Sequence, residues 1–252
     1  MMRITLLITA LLLYAAGLFS QERVYFYAPD SLKISAFLYA YNDDPDNNKP
    51  YILLFHQANY SKGEYKETAP KLVKLGFNCL AVDLRSGGEV NYESNETASR
   101  AQAQGLPTRY VNAEQDVRAA IEYAFEKSGQ PVILFGSSYS ASLCLKISKK
   151  NDSVKAVVAF SPGEYFKSDN ITIQNELEAL KKHVFVAGSQ REQPYLIEIL
   201  EKTLTEEKVV FTPSGGPGEH GSKALWKSCS TSDEYWLALL TFLRKYSEVI
   251  EE

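Results

Sequence analysis

The sequence predicts an α/β fold: a mostly parallel sheet with helices on both faces. Three observations point there. Short runs rich in β-branched and aromatic residues alternate with longer runs of helical period, and no linker-like or low-complexity stretch separates them. The later strand candidates are near-continuous apolar runs, as expected of parallel strands covered on both faces. One of these runs, ending at Phe135, passes through Gly136-Ser137-Ser138-Tyr139-Ser140 directly into a helical pattern, which is the local sequence of a tight strand-to-helix turn.

The elements follow in order. After Arg3 comes an apolar stretch from Ile4 to Phe19, shorter than the roughly 18 to 20 residues that span a bilayer comfortably, and it reads as a secretory signal peptide over residues 1–20. Cleavage near Ser20 or Gln21 leaves one domain, 21–252, with no stable membrane span and an exported destination; an uncleaved anchor is the alternative. No cysteine follows the apolar run, which argues against a lipid-modified amino terminus. Strands are expected at 24–27, 34–41, 51–55, 77–82, 132–135, 154–160, 183–187 and 208–211. The first two alternate polar and apolar residues, the pattern of an antiparallel edge.

Helices are expected at 64–75, 138–149 and 194–204. Two more follow from helical spacing, one through Val117, Ala120, Ile121, Ala124 and Phe125 and one through Trp236, Leu239, Leu240 and Leu243. Residues 42–50 read as a polar turn and 85–108 as a long polar insert. Repeated strand–helix units imply right-handed crossovers and a ligand site beyond the carboxyl ends of the strands.

The formal net charge is −4, and losing Arg3 with the leader makes it one unit more negative. Acidic and basic residues are mixed along the chain with no Lys/Arg block, so nucleic acid is not an expected partner. Of three cysteines, Cys79 and Cys144 lie in apolar runs and Cys229 is the exposed candidate; no disulfide framework is expected. No Cys/His metal spacing occurs, and Gly87-Gly88 lacks the lysine of a phosphate-binding loop, so neither metal nor organic cofactor is implied.

The chemistry centres on Ser138. A serine on a strand-to-helix turn presents its hydroxyl at the carboxyl end of the sheet, and the strained backbone needs small residues two positions either side, here Gly136 and Ser140. A serine nucleophile needs a base. His220, in the glycine-rich loop 213–221 between the last strand and the last helix, is the choice. His183 opens a strand and reads as structural, and His56 closes the strand 51–55.

These features resemble the α/β-hydrolase superfamily, in particular its dienelactone-hydrolase-like group with little or no lid. The resemblance covers nearly the whole chain after the leader and rests on Gly136-Ser137-Ser138-Tyr139-Ser140, on His220-Gly221, and on Leu53-Leu54-Phe55-His56-Gln57-Ala58. It implies an eight-stranded sheet and an oxyanion hole formed by the backbone N–H groups of Gln57 and Tyr139, with Gln57 standing where glycine is usual. It also implies a carboxylate after the 183–187 strand, and Glu192 is the first there; Asp83 is the fallback, or else holds the loop at Arg85. His56, Glu64 and Arg85 are candidates for the pocket or its support, Glu64 through an ion pair with Arg85 or by shaping the surroundings of Ser138. Tyr60, Tyr92 and Tyr139 are candidate pocket walls.

The expected activity is hydrolysis of an ester or related acyl bond of a small-molecule substrate through an acyl-enzyme on Ser138. A catalytically weak protein that binds a ligand or partner in the same cleft, and a peptidase of the same fold, remain alternatives. Nothing in the sequence assigns the acyl group, the alcohol or the oligomeric state.

Overall fold

The structure, a computed structural model, describes residues 19–41 and 49–247. Of the expected leader only Phe19 and Ser20 are described, and they open the first strand; most of the expected turn at 42–50 also lies outside the described residues.

The main sheet contains β1 (Phe19–Tyr27), β2 (Lys33–Tyr41), β3 (Tyr51–Phe55), β4 (Asn78–Val82), β7 (Val132–Ser137), β8 (Val154–Phe160), β9 (His183–Ala187) and β10 (Lys208–Phe211). Its order is β1-β2-β4-β3-β7-β8-β9-β10. β1 and β2 are antiparallel, β2 is antiparallel to β4, and every other neighbour is parallel. All eight expected strands are present, and the alternating pair forms the antiparallel edge.

Alternate residues of the central strands enter two separate cores, as the two-residue period of a strand requires. On one face Leu53, Phe55, Leu134, Val157 and Val186 pack with α3 (Glu114–Ser128), α4 (Tyr139–Ser148) and α6 (Gln193–Ile199). On the other, Ile52, Leu54, Phe135, Val158 and Phe185 pack with α1 (Thr68–Lys74) and α7 (Ser232–Leu243). The expected helix at 64–75 is a 3-10 turn, Lys62–Tyr65, followed by α1, and the one at 194–204 ends at Ile199.

The polar insert is folded. It holds a two-stranded ribbon, β5 (Glu89–Val90) with β6 (Glu93–Ser94), and α2 (Glu96–Ala103), whose first turn is capped by Asn95 Oδ1 accepting from the Ala98 N–H. One short helix, α5 (Ile173–Glu176), precedes β9. Cys229 is a correction: it is buried, at 8% exposure, against the α7 side of the sheet, and all three cysteines are free thiols.

The fold positions the site by its strand order. From β3 the chain crosses to β4 on one side and then returns past β3 to β7 on the other. The connections leaving β3 and β7 therefore diverge, opening a crevice at their carboxyl ends.

Candidate active site

Ser138 occupies that crevice. Its φ of 59° and ψ of −122° lie in a region that L-residues avoid, at a cost of order 1–3 kcal/mol, and the surrounding contacts hold it there. A Cβ on Gly136 would come within 2.5 Å of the Ala141 N and Cα, so only glycine lets α4 start this close to β7. The Ser140 hydroxyl donates to the Phe55 carbonyl at 2.7 Å and accepts the Ser137 N–H at 2.9 Å, tying the turn to β3. That tie accounts for serine where glycine is usual.

The structure brings the three expected residues together. His220 Nε2 lies 2.9 Å from Ser138 Oγ, and His220 Nδ1 lies 2.6 Å from Glu192 Oε1. Glu192 Oε2 accepts from the Ser189 N–H at 2.7 Å, the Ser189 hydroxyl at 2.8 Å and the Ser161 hydroxyl at 3.0 Å. Burial pushes the Glu192 carboxyl upward, but the bonds from His220 and Ser189 outweigh it and hold it below the usual carboxylate range. A 3-10 turn at Gln190–Glu192 supplies the extra residue between Gly188 and the carboxylate.

The histidine loop is braced against the acid loop. The Gln190 N–H and side-chain amide donate to the carbonyls of Pro217 and Pro213, and the Tyr235 hydroxyl donates to that of Gly188. Gly221, with φ 74°, packs where a Cβ would meet Gln57 Oε1 at 2.5 Å and Ser137 Oγ at 2.7 Å. A left-handed glycine is thus required for His220 to reach the serine.

The oxyanion assignment needs correction at one residue. The Gln57 N–H is already donated, to Glu64 Oε2 at 2.7 Å. Among the described residues neither the Ala58 nor the Tyr139 N–H has a hydrogen-bond acceptor. Tyr139 is the first residue of α4.

The supporting candidates separate. His56 is fully buried: Nε2 receives the Leu84 N–H and the Asn95 amide, so Nδ1 carries the proton and donates to the Gln57 carbonyl at 2.8 Å. Burial pushes its pKa down to about 4. Arg85 is not paired with Glu64, a second correction; its guanidinium is buried between Asp116 and Asp30, at 2.7 Å from each. Asp83 is likewise structural, joined to the buried Lys62 at 2.8 Å. Glu64 is fully buried, and burial pushes its carboxyl up against the opposing bonds from Ser222, Ser137 and the Gln57 N–H. His183 meets the Tyr246 hydroxyl, away from the crevice.

Of the expected pocket tyrosines, Tyr92 is wholly exposed, Tyr60 stacks on Trp226, and the Tyr139 hydroxyl is tied to the Ser86 carbonyl. Tyr165 reaches the serine: its hydroxyl is 3.1 Å from Ser138 Oγ and 3.2 Å from the Ser161 carbonyl. It lines a cavity of about 290 Å³ together with Ser86, Thr108, Arg109, Tyr110 and Asp169. Arg109 and Asp169 form an ion pair at its edge. Among the described residues no group of three His, Cys, Asp or Glu side chains is placed to hold a metal ion, and no helix is long and apolar enough to cross a membrane.

The family model described as serine aminopeptidase, S33, matches residues 46–198, more than half of the chain. The chain belongs to that family. The match includes Ser138 and Glu192 and stops before His220. Membership makes the protein a serine hydrolase of the α/β-hydrolase fold. Comparison with curated proteins finds no match.

Solved structures agree on the fold. An esterase of Pyrococcus furiosus, Pf2001, superposes with a TM-score of 0.64 at 15% identity, over 90% of this chain and 93% of its own. A dienelactone hydrolase of Anabaena variabilis gives 0.67 at 14%, over 92% and 100%. The acylaminoacyl peptidase of Pyrococcus horikoshii gives 0.65 at 15%, over 97% of this chain and 44% of its own length.

Proposed function

We propose that this family member is an exported hydrolase of esters or closely related acyl bonds, working through an acyl-enzyme on Ser138. The observation that carries the reading is the chain of contacts from Ser138 Oγ to His220 Nε2 at 2.9 Å and from Nδ1 to Glu192 at 2.6 Å, set on a positive-φ turn at the sheet's switch point. His220 takes the Ser138 proton as the oxygen attacks the carbonyl carbon, and Glu192 stabilises the imidazolium that forms. The amides of Ala58 and Tyr139 receive the oxyanion. His220 then gives its proton to the leaving oxygen or nitrogen, and the same groups activate water to release the acid.

The cavity beside Tyr165, with its hydroxyls and the Arg109–Asp169 pair, favours a small, polar group on one side of the scissile bond. Export rests on the leader at 1–20. The esterase and dienelactone hydrolase among the superposable structures support an ester; the family description and the acylaminoacyl peptidase support an amide. Turnover of short acyl esters measured beside aminoacyl amides and N-acylated peptides decides between them. Ester hydrolysis faster by orders of magnitude is expected, and turnover confined to amides would replace this reading with a peptidase.

A further inference from the structure

Glu64 joins the three loops that meet at the crevice. Its Oε2 accepts the Gln57 N–H at 2.7 Å, on the loop after β3. Its Oε1 accepts the Ser222 hydroxyl at 2.6 Å, two residues past His220, and its carbonyl accepts the Trp226 indole N–H at 2.9 Å. The Ser222 N–H in turn donates to Ser137 Oγ at 2.9 Å, next to the serine. The carboxylate is fully buried, and among the described residues it makes no ion pair; Lys62 turns to Asp83 and Lys223 to Glu219.

An unpaired buried carboxylate is costly and persists where its geometry is needed. The need is visible in the peptide that follows. The Gln57 carbonyl is held by His56 Nδ1–H at 2.8 Å and by the Tyr60 N–H at 3.3 Å. A trans peptide points its N–H opposite to its C=O, so a pinned Gln57 carbonyl sets the direction of the Ala58 N–H. Glu64 pins the other side of Gln57. The residue is then fixed at both flanking peptides, and the Ala58 amide keeps one orientation.

We propose that Glu64 is a positioning residue: a buried clamp that holds the Ala58 amide in line for the oxyanion and keeps the His220 loop seated against the serine turn. This deepens the acyl-hydrolase reading and rests on it. The clamp acts on the transition state, because the amide and the histidine are needed there and not for binding the ester.

The test uses p-nitrophenyl acetate turnover and the affinity of a trifluoromethyl ketone, which mimics the tetrahedral adduct. Glu64→Ala is expected to lower kcat about a hundredfold with KM changed less than about threefold, and to weaken the ketone in step with kcat/KM. Glu64→Gln is expected to recover at least about tenfold, because the amide oxygen still accepts the Gln57 N–H while its NH₂ faces the rotatable Ser222 hydroxyl. Ser222→Ala, which removes one arm, is expected to lower kcat about tenfold. A folded Glu64→Ala with kcat within about threefold of wild type overturns the clamp, as does a loss expressed in KM alone. Should Glu64→Ala not fold, Ser222→Ala decides: a kcat loss supports the clamp and a value within about twofold of wild type overturns it. Ser138→Ala separates the two claims, since its full activity would remove the serine reading itself while a dead Ser138→Ala beside an active Glu64→Ala removes only the clamp.

Discussion

Replacing Glu192 by glutamine is expected to lower kcat by about two to four orders of magnitude while the protein stays folded. Three donors converge on Oε2, namely the Ser189 N–H, the Ser189 hydroxyl and the Ser161 hydroxyl. The amide oxygen of the substituted side chain would take that position, because the opposite orientation leaves a partly buried N–H unsatisfied at about 1–3 kcal/mol. The NH₂ group then faces His220 Nδ1, which must accept, so the proton moves to Nε2 and the base is disabled. That preference alone is worth about 5- to 150-fold. Losing the charged 2.6 Å bond to the imidazolium removes about 1.5–3 kcal/mol more, another 10- to 150-fold. Steady-state kinetics on a short acyl ester read the loss, which should fall on kcat more than KM. Retention of kcat within about tenfold of wild type, in a variant with unchanged circular dichroism, would refute the argument.

Two stability effects follow from the buried groups. His56 is neutral in the folded state with its pKa pushed down to about 4, against about 6.5 unfolded, so between these values the unfolded chain binds the extra proton. Its contribution is complete above about pH 6.5 and falls by up to about 3 kcal/mol as the pH drops toward 4; urea unfolding of wild type and His56→Asn at pH 7 and 4.5 should show a smaller drop in the variant, and equal drops would contradict the assignment. Asp116→Ala leaves the fully buried Arg85 with only the partly exposed Asp30 and should cost about 3 kcal/mol in urea unfolding, whereas a change below about 1 kcal/mol would show that the pair is dispensable.

The centre of the main sheet was legible because its strands are buried on both faces, which leaves near-continuous apolar runs such as Tyr51–Phe55 and Val154–Phe160, the latter broken only by Lys155. The ribbon at Glu89–Val90 and Glu93–Ser94 was not, since two-residue strands have no period; the Lys62–Glu93 and Arg23–Glu93 pairs, made across long sequence separations, help to hold it. The α2 helix had a readable start, Asn95 before an alanine-rich run, which the polarity of the insert masked.

At the site, Ser138 and His220 followed from local chemistry, a strained turn and a glycine-rich loop. The proposed oxyanion donor moves by one residue, from Gln57 to Ala58, because what occupies the Gln57 N–H is a carboxylate seven positions along. Tyr165 carried no signal in a chain with sixteen tyrosines; only the turn after β8 brings its hydroxyl to the serine.

The most direct test of the account is the identity of the nucleophile. Incubation with a fluorophosphonate, followed by intact-mass and peptide mass spectrometry, should give one adduct, on Ser138, with loss of ester turnover in proportion. Ser137→Ala should still be labelled, and Ser138→Ala should be neither labelled nor active while unfolding at a similar temperature. An adduct on another residue, or equal labelling and turnover in Ser138→Ala, would contradict the central claim.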